Sequence, residues 1–242
     1  RGRADGPTLL AVAGVHGDEY EGMEAIRRVA TLPGVRSVAG VSALPMFPVG
    51  IDFALPFTIE VRFLGGLNAR QREAFTAAAD RWTSLIVGDL PSVLVDNEVI
   101  DDVLILAQGV PIDGPGRILG QAGPTHLRPA SSGTAAFLTA KGIMSFDTAD
   151  LAKMEADGTL NDVITHEMGH VLGIGTIWDL KSLLKRGGTT NPTFAGLGAM
   201  EEYRVLRGAG RRRRVPVENT GGSGTADGHW RETIFRNELM SG

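Results

Sequence analysis

The stretch NDVITHEMGHVLGIG, residues 161–175, constrains this chain more than any other. Leu160, Val163, Ile164, Met168, Val171 and Leu172 recur at the spacing of one helical face, so the segment predicts a buried amphipathic helix over 160–172. Gly173 stands where such a helix ends and the chain turns left-handed. His166 and His170 lie four residues apart, on one face, where two imidazoles can aim at a common point. Glu167 follows His166 directly, so its carboxylate falls beside that point. This is the H-E-x-x-H arrangement, with Met168 and Gly169 as the middle pair. The two histidines at this spacing predict a zinc ion about 2.0–2.1 Å from each ring nitrogen. A carboxylate at Glu167 can then take a proton from a metal-activated water and pass it to a leaving amine.

Composition limits what else can join such a site. The chain has 242 residues and no cysteine, so disulfides, thiolate ligands and a cysteine nucleophile are excluded together. Any metal is held by His, Asp or Glu. A catalytic zinc takes a third protein ligand and keeps one position open. The remaining histidines are His16, His126 and His229. His229 sits in GTADGHWRETIFRNELMSG, a glycine-rich turn able to fold back under the helix, with Met240 further along the same stretch. His126, in PTHLRP, reads as a surface or locally bonded histidine.

These residues carry a resemblance. HEMGHVLG is similar to the first part of the metzincin zinc signature, in which a glycine turn after the helix leads to a third histidine. In the short form of that signature the third ligand falls at position 176, which here is Thr176. The chain instead resembles the leishmanolysin family, where an insertion separates turn and ligand. His229 then matches the third zinc ligand, and Met240 in ELMSG matches the methionine turn beneath the metal, with a packing role. The resemblance covers residues ~57–242. It implies an α+β fold with an upper sheet-and-helix subdomain (57–173) over a smaller irregular lower one (174–242), the last ending earlier than the family usually does. It further implies a zinc metalloendopeptidase with one catalytic ion on His166, His170 and His229, and Glu167 as general base. GIMSFD, 142–147, resembles the family's edge strand, which pairs with an extended peptide substrate. Protein or peptide substrates and a secreted or cell-surface location are implied in the same way.

The rest of the chain is read more coarsely. FTIEVRFL, SVLVDN, DVLILAQGV and GIMSFD predict strands, and NARQREAFTAAADRWTSLIVG predicts a helix opened by a capping pair, Asn68 and Gln71. Residues 111–134 are Gly/Pro/Ser-rich and predict loops. GLGAMEEYRVLR is a further helical piece. Residues 46–56 predict a linker, and residues 1–45 a short βαβ fragment. In that fragment HGDE, with His16 and Glu19, resembles the start of the succinylglutamate desuccinylase and aspartoacylase group of zinc acylases. Two alternatives follow: a non-catalytic zinc-binding remnant of a protease, and an N-acyl amino acid hydrolase using His16 and Glu19.

A formal charge of −4 gives no general attraction to nucleic acid or anionic lipid. The basic run Arg211–Arg214 reads as a solvated loop, and the acidic DNEVIDD, 96–102, as a solvated turn rather than a calcium site. TLLAVAGV, 8–15, reads as a buried strand rather than a signal core, and no apolar run reaches the roughly 18 residues of a membrane span.

Overall fold

The computed structural model describes residues 56–242 except Val87 and Asn237. The βαβ fragment 1–45 with His16 and Glu19, and all but the end of the linker, lie outside the described residues. The fold is mixed α+β. Strands β1 (Ile59–Gly65), β4 (Val103–Val110), β5 (Gly120–Leu127) and β6 (Thr139–Asp147) form one sheet in the order β1-β4-β6-β5. The first three neighbours run parallel, and β5 is antiparallel to β6. A short hairpin of β2 (Val93–Val95) and β3 (Glu98–Ile100) turns at Asp96 and Asn97, both left-handed, which accounts for the acidic stretch.

Helix α1 (Ala69–Leu85) begins with the expected reciprocal cap, Gln71 N–H donating to Asn68 Oδ1 at 2.9 Å and Asn68 N–H to Gln71 Oε1 at 2.9 Å. After α2 (Leu151–Asp157), helix α3 runs from Leu160 to Leu172 and stops at Gly173, whose φ is +114°. Ile164, Met168 and Val171 are completely buried, as the stripe requires. Gly142 of β6 lets α3 approach the sheet: a Cβ there would stand 2.3 Å from Val171 Cγ1 and 2.9 Å from Gly123 O. The Thr139 hydroxyl donates to Val171 O at 2.6 Å, and Trp82 Nε1–H of α1 donates to Thr165 O at 3.0 Å. Helix α3 is thereby held from the sheet and from α1.

The edge of the sheet differs from expectation. β6, which contains GIMSFD, lies between β4 and β5, and the edge on that side is β5, within the stretch that predicted only loops. GQAGPTHL lacks β-branched and aromatic strand formers apart from Thr125, so no propensity marks it. An edge strand needs partners on one side only, which is also why Pro124 is tolerated there. The loop leading into β5 is set by buried carboxylates. Asp147 accepts from the N–H of Ala149, Asp113 and Gly114, each at 2.9 Å, and Asp150 accepts from Gly116 N–H at 2.8 Å. These donors, the Ala149 N–H first, hold the Asp147 carboxyl below the usual range.

Beyond Gly173 the regular structure is sparse. β7 (Leu184–Lys185), β8 (Thr193–Phe194) and β9 (Val215–Pro216) form a small antiparallel sheet, joined by α4 (Leu197–Leu206) and followed by α5 (Glu232–Phe235). Trp178, Phe194 and Trp230 pack ring against ring, with centroids 4.6–5.3 Å apart. One continuous apolar cluster reaches from Phe75 and Phe146 under the sheet, through Met168, to Trp230 and Met240. Among the described residues no helix is long and apolar enough to cross a membrane.

Candidate metal centre

Helix α3 places His166 and His170 one turn apart, and the loop 217–230 brings His229 to them. The Nε2 atoms are 3.0 Å apart for His166 and His170, 3.0 Å for His170 and His229, and 3.1 Å for His166 and His229. His229 comes from 59 residues beyond His170.

Backbone carbonyls set the orientation of all three rings. His166 Nδ1 lies 2.7 Å from Leu239 O, His170 Nδ1 2.8 Å from Ile174 O, and His229 Nδ1 3.0 Å from Thr225 O. A carbonyl only accepts, so each Nδ1 carries the proton and each neutral ring turns an unprotonated Nε2 to the centre. Three lone pairs therefore converge with no proton between them, an arrangement that a shared cation relieves. Nitrogen ligands about 2.0–2.1 Å from a tetrahedral ion stand about 3.3 Å apart, close to the separations found. The donor set, three imidazoles with carbonyl-held second nitrogens, fits zinc. Burial pushes His166 and His229 below the ordinary value and His170, which also faces its two neighbours, down to about 3.

Glu167 lines the cleft beside the histidines, and its carboxylate has no hydrogen-bond or ion-pair partner among the described residues. Burial alone pushes its carboxyl up to about 7 in the metal-free protein. A cation in the adjacent centre acts the other way and favours the ionised form. The pair of effects suits a group that must accept and release a proton near neutrality.

Three close approaches build the centre. A Cβ on Gly169 would lie 2.7 Å from Met240 Sδ and 3.1 Å from Trp82 Cζ2, so the room left by Gly169 is filled by Met240, itself 1% exposed. A Cβ on Gly175, at φ +79°, would lie 2.0 Å from Gly228 O. Only glycine lets the turn after α3 touch the segment that carries His229. Thr176 sits in the cleft wall, its hydroxyl donating to His170 O at 2.7 Å, which caps an end carbonyl of α3.

Glu218 shapes the far loop. Its carboxylate accepts from the N–H of Asn219, Thr220 and Glu232 and from the Thr220 hydroxyl, at 2.8–3.0 Å. Burial raises this carboxyl, but those donors outweigh it and the net shift is downward. Glu218 N–H donates to His229 O at 2.8 Å, tying this carboxylate hub to the third histidine. The cleft above the histidines is walled by Arg117–Ala122, at the start of β5, on one side and by Ser223–Gly228 on the other.

The other sequence candidates are placed elsewhere. His126 is exposed on β5, 3.2 Å from the Thr125 hydroxyl and 3.8 Å from Asp96. Asp102 is fully buried and accepts from Leu90 N–H, Thr58 N–H and the Thr58 hydroxyl, a structural use of the acidic stretch. The carbonyl partners, the Gly175–Gly228 contact, Glu218 and the β5 wall leave no sequence signal of their own, because each depends on backbone brought together from distant segments.

Such a helix, beneath an open cleft and with a half-buried carboxylate free of partners, fits a metallopeptidase. The leishmanolysin peptidase family, Peptidase_M8, matches residues 102–242, and the chain belongs to that family. It is therefore a hydrolase of the metalloprotease class, acting on protein substrates. A search of curated proteins finds no match to the chain. The acylase-like stretch 7–45 lies outside the family match and outside the described residues.

Proposed function

We propose that this chain is a zinc-dependent metalloendopeptidase of the metzincin type, with His166, His170 and His229 as zinc ligands and Glu167 as general base. The observation that carries this reading is the convergence of three Nε2 atoms within 3.0–3.1 Å of one another, beside a half-buried carboxylate with no partner among the described residues. When bound, zinc would supply Lewis-acid polarisation of the scissile carbonyl and lower the pKa of water toward about 7.

The chain's own groups do the rest. A carboxylate oxygen of Glu167 takes the proton of the attacking water and returns it to the leaving amine nitrogen. The carbonyls of Leu239, Ile174 and Thr225 hold the three rings in one tautomer, so the ligands need no reorientation. Met240, pressed against Gly169, forms an apolar floor and corresponds to the methionine turn. The free edge of β5 pairs with an extended substrate by strand addition, with side chains alternating between cleft and solvent. In this reading residues 57–173 form the upper subdomain and 174–242 the lower one, with the cleft between them. The family relationship supports a secreted or cell-surface site of action.

The test is hydrolysis of casein by the zinc-loaded chain, with metal content measured alongside. Activity is expected to vanish with a chelator and with Glu167→Ala, the latter keeping its zinc. Proteolysis that survives Glu167→Ala overturns the assignment. Stoichiometric zinc with no proteolysis in the wild type favours the non-catalytic alternative.

A further inference from the structure

The proposed protease chemistry does not use the run Arg211–Arg214. All four arginines are exposed, in coil between α4 and β9. Among the described residues, the backbone N–H and C=O groups of Gly210–Arg214 make no hydrogen bonds. Both ends of this span are anchored. Upstream, Arg207 N–H donates to Tyr203 O, and Ala209 N–H to Arg204 O, completing the end of α4. Downstream, Val215 is fully buried and pairs with Phe194 through β9. A proteolytic site needs this combination: accessible side chains, and a short run of backbone free to be drawn out as an extended strand. A polyanion surface needs arginines gathered on one face of a regular element, and coil gives the four no common face.

We propose that Arg211–Arg214 is a processing site for a dibasic-specific serine endoprotease, cut between Arg212 and Arg213 into a two-chain protein that keeps its metal centre. The bond is chosen by its neighbours. Cutting there leaves Arg213 and Arg214 exposed on the leaving side, whereas cutting after Arg214 requires Val215 to be stripped from β9. Hydrolysis breaks the Arg212 C–N bond. Water gives its hydroxyl to the carbonyl carbon and a proton to the Arg213 nitrogen.

The downstream piece, with His229 and Met240, stays bound without the covalent link. Val215, Val217 and Trp230 are completely buried. Arg231 donates from Nε to Val217 O at 2.9 Å, from Nη1 to Asn191 Oδ1 at 3.0 Å and from Nη2 to Pro192 O at 3.2 Å, the last two across the cut. Val217 N–H donates to Pro192 O at 3.1 Å, also across it. One contact restrains the site: Arg212 Nε donates to Glu201 Oε2 at 2.7 Å. This exposed pair restrains Arg212 only weakly, so it slows cleavage about two- to five-fold.

The test treats the zinc-loaded full chain with a kexin-type serine endoprotease, beside an untreated control and a synthetic peptide spanning 206–217. The expected result is cleavage at Arg212–Arg213 within about tenfold of the peptide's rate. The fragments are expected to co-elute on gel filtration and to retain one zinc. Arg211→Gln with Arg212→Gln is expected to slow that cut more than tenfold, and Glu201→Gln to speed it two- to five-fold. Native cleavage more than a hundredfold slower than the peptide's, a cut confined to Arg214–Val215, or fragments that separate and release zinc would each overturn the proposal.

Discussion

Gly169 lies between the two helix histidines and touches neither the centre nor solvent, yet it decides how closely Met240 approaches α3. Alanine there gains about 1 kcal/mol of helix propensity but drives a Cβ into a buried thioether backed by Trp82. The expected net effect of Gly169→Ala is a loss of about 1–2 kcal/mol, read as a lower urea midpoint, with weaker zinc retention because Leu239 O moves with Met240. An unchanged midpoint would mean that Met240 yields freely. His170 sets a pH limit on the metal-free chain. Its folded pKa is depressed to about 3 against 6.5 unfolded, so the unfolded state binds the proton first. By linkage this contribution falls as pH drops from 6.5 toward 3. Glu167 works in the opposite sense between 4.5 and about 7, since its raised pKa makes ionisation on rising pH costly to the fold. Denaturant midpoints of the chelated protein are expected to fall below pH 4.5, and His170→Ala is expected to flatten that acid limb.

At the scale of elements, α3 forms the floor of the cleft and the start of β5 one of its walls, and the two differ in how they are encoded. The period, the glycine stop and the paired histidines of α3 are local properties, and the observed helix has the expected bounds, Leu160–Leu172. β5 has no comparable pattern. It is a strand because β6 offers it a partner and because Asp147 and Asp150 clamp the loop before it. Asp147→Ala leaves the N–H groups of Asp113, Gly114 and Ala149 without their acceptor. The expected cost is about 1–3 kcal/mol. If β5 pairs with substrate, KM for peptides rises several-fold while kcat changes less; an equal fall in kcat would instead place the clamp's effect on the chemistry.

Across the whole molecule, the histidine cluster joins α3 to a segment 59–63 residues away, so the proposed zinc would bind the folded state and not the open chain. At a free zinc concentration of a hundred times Kd, binding adds about 2.7 kcal/mol. For a domain of this size that raises Tm by about 5–10 °C. Calorimetry with and without a chelator measures it, and His229→Ala is expected to abolish the difference. A shift that persists in His229→Ala would place the zinc elsewhere. The sequence alone determined the helix, its two histidines and the adjacent carboxylate, because those signals reside in spacing along a short run, and the family resemblance pointed to the third histidine that meets them. Only the tertiary structure decided where the sheet ends beside the cleft, which carbonyls hold each ring, and why Gly169 and Gly175 stand where they do. Those features arise from backbones meeting at van der Waals distance, and a pairing between distant segments leaves no periodicity in either of them.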